Sequence, residues 1–276
     1  MREIDGEIIS KNISQAVQNA NFSLDLKLLN MLEDAVKKEQ SLLGKNILKS
    51  LIKNAQIAEQ EKIAICQDTG IVVIFIKIGN QIQIQGDLYK AVNRGIKAGY
   101  NKGYLRKSVV KDPFNRENTQ DNTPAIIYIE NVLGDSLEFN ILIKGAGSEN
   151  MSRINMFNPT ASKDEIIDFI IDTVQRAGAS ACPPYIMGIG IGGTFEKAAL
   201  LSKKALLKEK TEDPSIRIFE KRILKEINKT GIGPGGLGGK VTALDVRILK
   251  HSCHIASLPV AVNINCHASR HIKISI

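Results

Sequence analysis

The stretch Ile71-Val72-Val73-Ile74-Phe75-Ile76-Lys77-Ile78 constrains the fold more than any other part of the chain. All of it but Lys77 is apolar, most of it is β-branched, and no polar residue alternates through it. That pattern fits a strand covered on both faces, since a strand with one wet face alternates. Two covered faces require layers of other elements, so the chain is expected to be α/β, with mixed helices and sheets.

Helical spacing supplies those layers. Leu24, Leu28, Leu32 and Val36 recur every four residues, as do Ile47, Leu51 and Ala55, so the first sixty residues are read as helices. Leu88, Val92, Ile96 and Tyr100 mark another. Ser162 and Glu165 have capping-box spacing, opening a helix through Ile166, Ile170 and Val174 that Gly178 ends. Further helices are expected near 195–207 and 213–229. Strands are expected at 125–130 and 137–143, separated by the turn pair Gly134-Asp135, and then at 241–249 and 258–264. With no repeat, low-complexity tract or linker, residues 1–276 read as a single domain.

Charge and hydropathy narrow the function. The formal charge of +8 invites a nucleic-acid reading, but the lysines alternate with glutamates along helical stretches and aromatics are only 5%. This describes solvated helix faces without stacking platforms, so no nucleic-acid partner is expected. No apolar run reaches the roughly eighteen residues of a membrane helix. Acidic residues occupy the N-terminus where a signal peptide would be apolar, which reads as cytoplasmic.

Glycine, proline and cysteine concentrate between the predicted elements. CQDTG at 66–70 precedes the buried run, KGAGSEN at 144–150 follows a strand, and CPPYIMGIGIGG at 182–193 follows a helix. GIGPGGLGG at 231–239 lacks the Lys-Ser/Thr ending of a P-loop. Gly188-x-Gly190-x-x-Gly193 spells a dinucleotide fingerprint, but Cys182-Pro183-Pro184 is read as blocking the strand it needs. The four cysteines form no C-x-x-C pair, so structural zinc of the usual spacing is not expected. The residues alone leave two readings open: ordinary thiols, or an iron–sulfur cluster held from three separate loops.

These motifs, with LRKSVVKDP at 105–113 and HIASLPVAVNINCHASRH at 254–271, resemble the α subunit of two-subunit class I fumarate hydratases and the related L-tartrate dehydratases. Six matching stretches occur in the family's order across nearly the whole chain. The resemblance implies the fold of the N-terminal lobe of class I fumarases, with the site built from loops. It implies a [4Fe-4S] cluster on Cys66, Cys182 and Cys266, with one iron left without a protein ligand to act as Lewis acid. Cys253 falls outside the ligand set and is expected to be a structural thiol.

The implied reaction is reversible dehydration of (S)-malate to fumarate, with tartrate to oxaloacetate as the alternative and a non-catalytic iron–sulfur sensor as a remoter one. Gln67, Arg106 and Gly147 are implied to bind the dicarboxylate substrate, Arg106 through its planar fork. Asp68 and His254 are implied to be catalytic; Asp68 could equally cap the Thr69-Gly70 turn. The remaining site residues belong, in two-subunit members, to a separate β chain, so an α2β2 assembly is expected.

Overall fold

The computed structural model describes residues 1–208, 211 and 213–276. In chain order the elements begin with β1 (Arg2–Asp5), α1 (Gly6–Phe22), α2 (Leu26–Lys38) and α3 (Leu42–Glu61). β2 (Ile71–Gly79), β3 (Ile82–Gln85), α4 (Leu88–Lys102), β4 (Ile126–Val132) and β5 (Leu137–Lys144) follow. Next are α5 (Ala146–Glu149), β6 (Arg153–Phe157), α6 (Lys163–Ala177), β7 (Tyr185–Gly192) and α7 (Phe195–Ala205). α8 (Pro214–Lys229), β8 (Ala243–His251), β9 (Leu258–Asn265) and β10 (Arg270–Ser275) complete the chain. The mixed α/β class is as the buried run implied.

The chain divides into two compact units. One comprises Met1–Asp25, Asn54–Ala146 and Arg270–Ile276; the other comprises Leu26–Lys53 and Gly147–Ser269. Two of the divisions fall within α3 and α5, not in a Gly/Pro-rich linker, which is why composition shows no boundary.

In the first unit the sheet order is β10-β5-β2-β4. β2 lies between β4, which it pairs in parallel, and β5, which it pairs antiparallel. Val72 through Ile76 are all buried, as the unbroken apolar run requires. Val72, Ile74 and Ile76 share a core with Ile9, Ile13 and Val17 of α1 and Val92 and Ile96 of α4. Each such side chain contributes about 1.5–3 kcal/mol on burial. Asp5 caps α1 through the Glu7 amide (2.8 Å), and Asp87 caps α4 through the Lys90 amide (3.0 Å). The two helices approach closely at Gly95 and Gly99: a Cβ at Gly95 would lie 2.6 Å from the Ser10 carbonyl, and one at Gly99 2.3 Å from Val17 Cγ2.

In the second unit the order is β6-β9-β7-β8, with β7 parallel to β8 and antiparallel to β9. The predicted capping box is formed in both directions: Glu165 N–H donates to Ser162 Oγ (3.2 Å) and Ser162 N–H to Glu165 Oε2 (2.7 Å). Ile170 and Val174 of α6 and Ile223 and Ile227 of α8 share a core with Met187, Ile189 and Val262 of the sheet.

The sequence reading of 182–193 needs correction. Residues 185–192 form a central strand starting directly after the two prolines, not a loop. Its glycines serve α7: a Cβ at Gly188 would sit 2.1 Å from the Ser202 carbonyl, and one at Gly190 2.1 Å from that of Ala198. The formal dinucleotide spacing thus records a helix packed backbone-to-backbone on a strand.

Candidate active site

The first unit carries Cys66, Gln67, Asp68 and Arg106. α3 ends at Glu61, and the chain reaches Cys66 through an anchored residue, Ile65. The Ile65 amide donates to the Asn21 carbonyl (2.9 Å), and Asn54 Nδ2 donates to the Ile65 carbonyl (2.9 Å). Cys66 is partly exposed and Gln67 is exposed.

Asp68 is held through both oxygens. Oδ1 accepts from the Gly70 amide (3.0 Å) and Oδ2 from the Ala146 amide at the start of α5 (2.7 Å). The expected local cap is therefore present, and the carboxylate also reaches a second motif. Gly145 makes room for it, since a Cβ there would lie 2.9 Å from Oδ2. Each oxygen keeps a second lone pair for another donor.

Arg106 is exposed, but its backbone is tied to the Asp68 loop. Thr69 Oγ1 donates to the Arg106 carbonyl (2.5 Å). Asn122, fully buried, donates from Nδ2 to the Gly70 carbonyl (3.1 Å) and accepts the Ser108 amide at Oδ1 (2.7 Å). Tyr100 Oη donates to the Thr69 carbonyl (2.6 Å). Burial pushes its phenol far above the ordinary range, so it remains a donor. Buried Arg270 donates from Nη1 to Asn21 Oδ1 (3.0 Å), on the residue that anchors Ile65.

Sequence reading missed this layer of Thr69, Tyr100, Asn122, Asn21 and Arg270. Asn122 adopts a positive φ (60°) that only the packed loop imposes, and Tyr100 shows in the sequence only as a point of helical periodicity.

The second unit carries Cys182, Cys266, Gly147 and His254. Cys182 follows the short 3-10 turn Gly178–Ala181 and adopts φ 52°, a left-handed conformation unusual for a side-chain-bearing residue. Cys266 directly follows β9. The two loops meet: the Cys182 carbonyl accepts the His267 amide (3.3 Å) and stands 3.1 Å from His267 Nδ1.

Gly147 joins this neighbourhood, since a Cβ there would be 3.2 Å from the Ser180 carbonyl. Its turn is anchored by Glu149, which pairs with Lys203 of α7 and accepts from Asn263 Nδ2 of β9 (3.3 Å). His254 is exposed in the loop before β9, and its Nδ1 accepts the Ala256 amide (3.1 Å). That bond places the neutral ring's proton on Nε2. Cys253 is exposed, not the structural thiol expected: the chain at 252–257 forms an open turn with no core to receive it.

The donor set suits an iron–sulfur cluster. All four cysteines are thiols, and Cys66, Cys182 and Cys266 stand at loop positions with at least partial exposure. Within neither unit do three His, Cys, Asp or Glu side chains of the described residues converge on a single-ion site. Ligation at one thiolate per iron does not require such convergence.

Among the described residues no helix is long and apolar enough to cross a membrane. The family described as fumarate hydratase (Fumerase) matches residues 10–275. A Methanocaldococcus jannaschii protein described as a candidate L(+)-tartrate dehydratase subunit alpha is 41% identical over 272 residues, 95% of each chain. The L(+)-tartrate dehydratase subunit alpha of Escherichia coli K12 is 30% identical over 249 residues, 88% of this chain and 81% of its own. Fold and matches together define a hydro-lyase α subunit. The chain belongs to the fumarate hydratase family, in its fumarate hydratase/tartrate dehydratase α-subunit branch.

Proposed function

We propose that this chain is the cluster-bearing α subunit of a hydro-lyase that interconverts (S)-malate and fumarate. Cys66, Cys182 and Cys266 would hold a [4Fe-4S] cluster, which supplies a Lewis acid for the substrate hydroxyl. The reading rests chiefly on the tie between the loops of Asp68 and Arg106, made by Thr69 Oγ1 on the Arg106 carbonyl. It sets a carboxylate and an exposed guanidinium on adjoining loops of one unit.

The chain's own residues then divide the work. Arg106 receives a substrate carboxylate in a two-point contact and neutralises it, which acidifies the neighbouring C–H. Gln67 donates to a substrate oxygen, and Gly147 leaves its backbone open to close approach. Asp68 delivers the proton with which the hydroxyl departs as water and takes it back from water in the reverse hydration, using the lone pairs its amide donors leave. His254 presents Nε2–H to the substrate.

The relatives' names as α subunits support a β partner, which would carry the base that removes the carbon-bound proton. The expected assembly is α2β2, in the cytoplasm, active only with both chains. Those same names carry the second reading, tartrate to oxaloacetate.

Anaerobic reconstitution with iron, sulfide and the β chain, assayed on malate and L-tartrate in parallel, tests both. Fumarate formation supports the first reading and turnover of tartrate alone replaces it with the second. Failure of the chain to take up a cluster removes both.

A further inference from the structure

Glu39 lies far from every residue assigned to the site in sequence, yet it is 2% exposed and its carboxylate is crowded with donors. Oε1 accepts the amides of Gln40 (2.8 Å), Ser41 (3.0 Å) and Lys240 (3.0 Å). Oε2 accepts those of Lys240 (2.9 Å) and Val241 (2.9 Å). These donors are all backbone amides, so the anion is held by a nest that joins the end of α2 to the segment entering β8. Gly239 is shaped to it: a Cβ there would stand 2.8 Å from Oε2.

Lys240 and Val241 close the glycine loop 231–239, and the other side of that loop is built onto the Cys182 turn. Gly235 N–H donates to the Pro183 carbonyl (2.9 Å). Gly236, at φ 76°, packs so closely that a Cβ would lie 2.5 Å from Ala179 Cβ. The Cys182 amide donates to the Ala179 carbonyl (3.0 Å). Cys182 is thus flanked by two residues, Ala179 and Pro183, that both rest on the glycine loop. A side-chain-bearing residue stays left-handed only where its surroundings hold it there.

We propose that Glu39 is a positioning residue for Cys182, its carboxylate fastening the glycine loop that keeps this thiol in its strained presentation. The inference rests on the reading of Cys182 as a cluster ligand, and it gives the glycine run a purpose that its failed P-loop resemblance did not.

The test is Glu39→Gln in the full-length chain, read by two measurements that do not need turnover. In the metal-free protein, amide hydrogen exchange is followed over 179–184 and 233–241. In the anaerobically reconstituted protein, loss of the cluster's visible absorbance to a ferrous chelator is timed. Ile223→Val, a core change of the same unit, controls for general loss of stability.

Exchange should quicken in both segments, and cluster loss should run about tenfold faster than in the wild type and the control, the scale for supports behind metal ligands. Faster exchange confined to 238–241, or cluster loss no faster than in the control, overturns the proposal. If Glu39→Gln does not fold, Glu39→Asp keeps the charge, shortens the reach and is read in the same way. A wild-type chain that binds no iron defeats the cluster reading, while the exchange measurement still decides whether Glu39 governs Cys182.

Discussion

The Thr69 hydroxyl donates to the Arg106 carbonyl at 2.5 Å, joining two loops 37 residues apart in sequence. Asn122 makes a second tie between the same segments, from the Gly70 carbonyl to the Ser108 amide. Gln67, Asp68 and Arg106 therefore sit on one hydrogen-bonded backbone piece, although none of the three side chains bonds to another.

Removing the Thr69 hydroxyl should uncouple that piece. Thr69→Val is expected to lower kcat/KM about a hundredfold, the scale of a roughly 1 Å misplacement. Thr69→Ser keeps the donor and should stay near the wild type. Steady-state kinetics of the reconstituted two-chain enzyme check both, and a loss in Thr69→Ser as large as in Thr69→Val would show that keeping the hydroxyl does not preserve the site.

The four cysteines should separate by role. Cys66→Ser, Cys182→Ser and Cys266→Ser should each abolish the visible absorbance of the reconstituted cluster with little change in the unfolding midpoint, because none of the three residues is buried. Cys253→Ser should leave both absorbance and activity unchanged. Iron content and absorbance of the purified variants decide this, and a cluster lost in Cys253→Ser would redraw the ligand set.

Glu39 should give the fold an acid limit. Burial pushes its pKa up, but the amides of Lys240, Ser41, Val241 and Gln40 outweigh burial and hold it below the ordinary glutamate value. The folded chain therefore binds this proton less readily than the unfolded one. The stabilisation is complete above the unfolded value of about 4.3 and fades as pH falls through the lower folded value. Urea midpoints from pH 7 downward should fall less steeply in Glu39→Gln than in the wild type; parallel curves would assign the acid limit to other groups.

The strand glycines should tolerate no side chain. Gly190→Ala sets a methyl 2.1 Å from the Ala198 carbonyl, a backbone atom that cannot rotate away. A loss of about 3 kcal/mol is expected, at the upper end for overpacking. Chemical denaturation measures it, and a loss below about 1 kcal/mol would show that α7 can lift from β7 without penalty.

Much of the fold was legible because it depends on neighbours in sequence. The helix starting after Ser162 followed from its capping box, and β4 and β5 from two apolar runs around Gly134-Asp135. The strand at 185–192 was hidden because three glycines lower its strand propensity, and their value appears only once α7 lies across them. β10 was hidden as well. Ile272, Ile274 and Ile276 alternate with Lys273 and Ser275, but the run is short, and it becomes a strand because β5 offers an edge, pairing Ile272 with Ile141.

The site divides along the same line. Sequence by itself determined the inventory: three thiols on separate loops, a carboxylate beside one of them, an arginine, a histidine and the family these motifs share. Periodicity and capping also determined that β2 would be buried and where most helices would lie, because those signals act over a few residues. Only tertiary structure decided that Thr69 fastens Arg106, that His267 meets Cys182, and that Glu39 gathers amides about 200 residues away. Such contacts form because burial leaves donors and acceptors no water to bond, so each must find whichever partner the packed chain brings within reach.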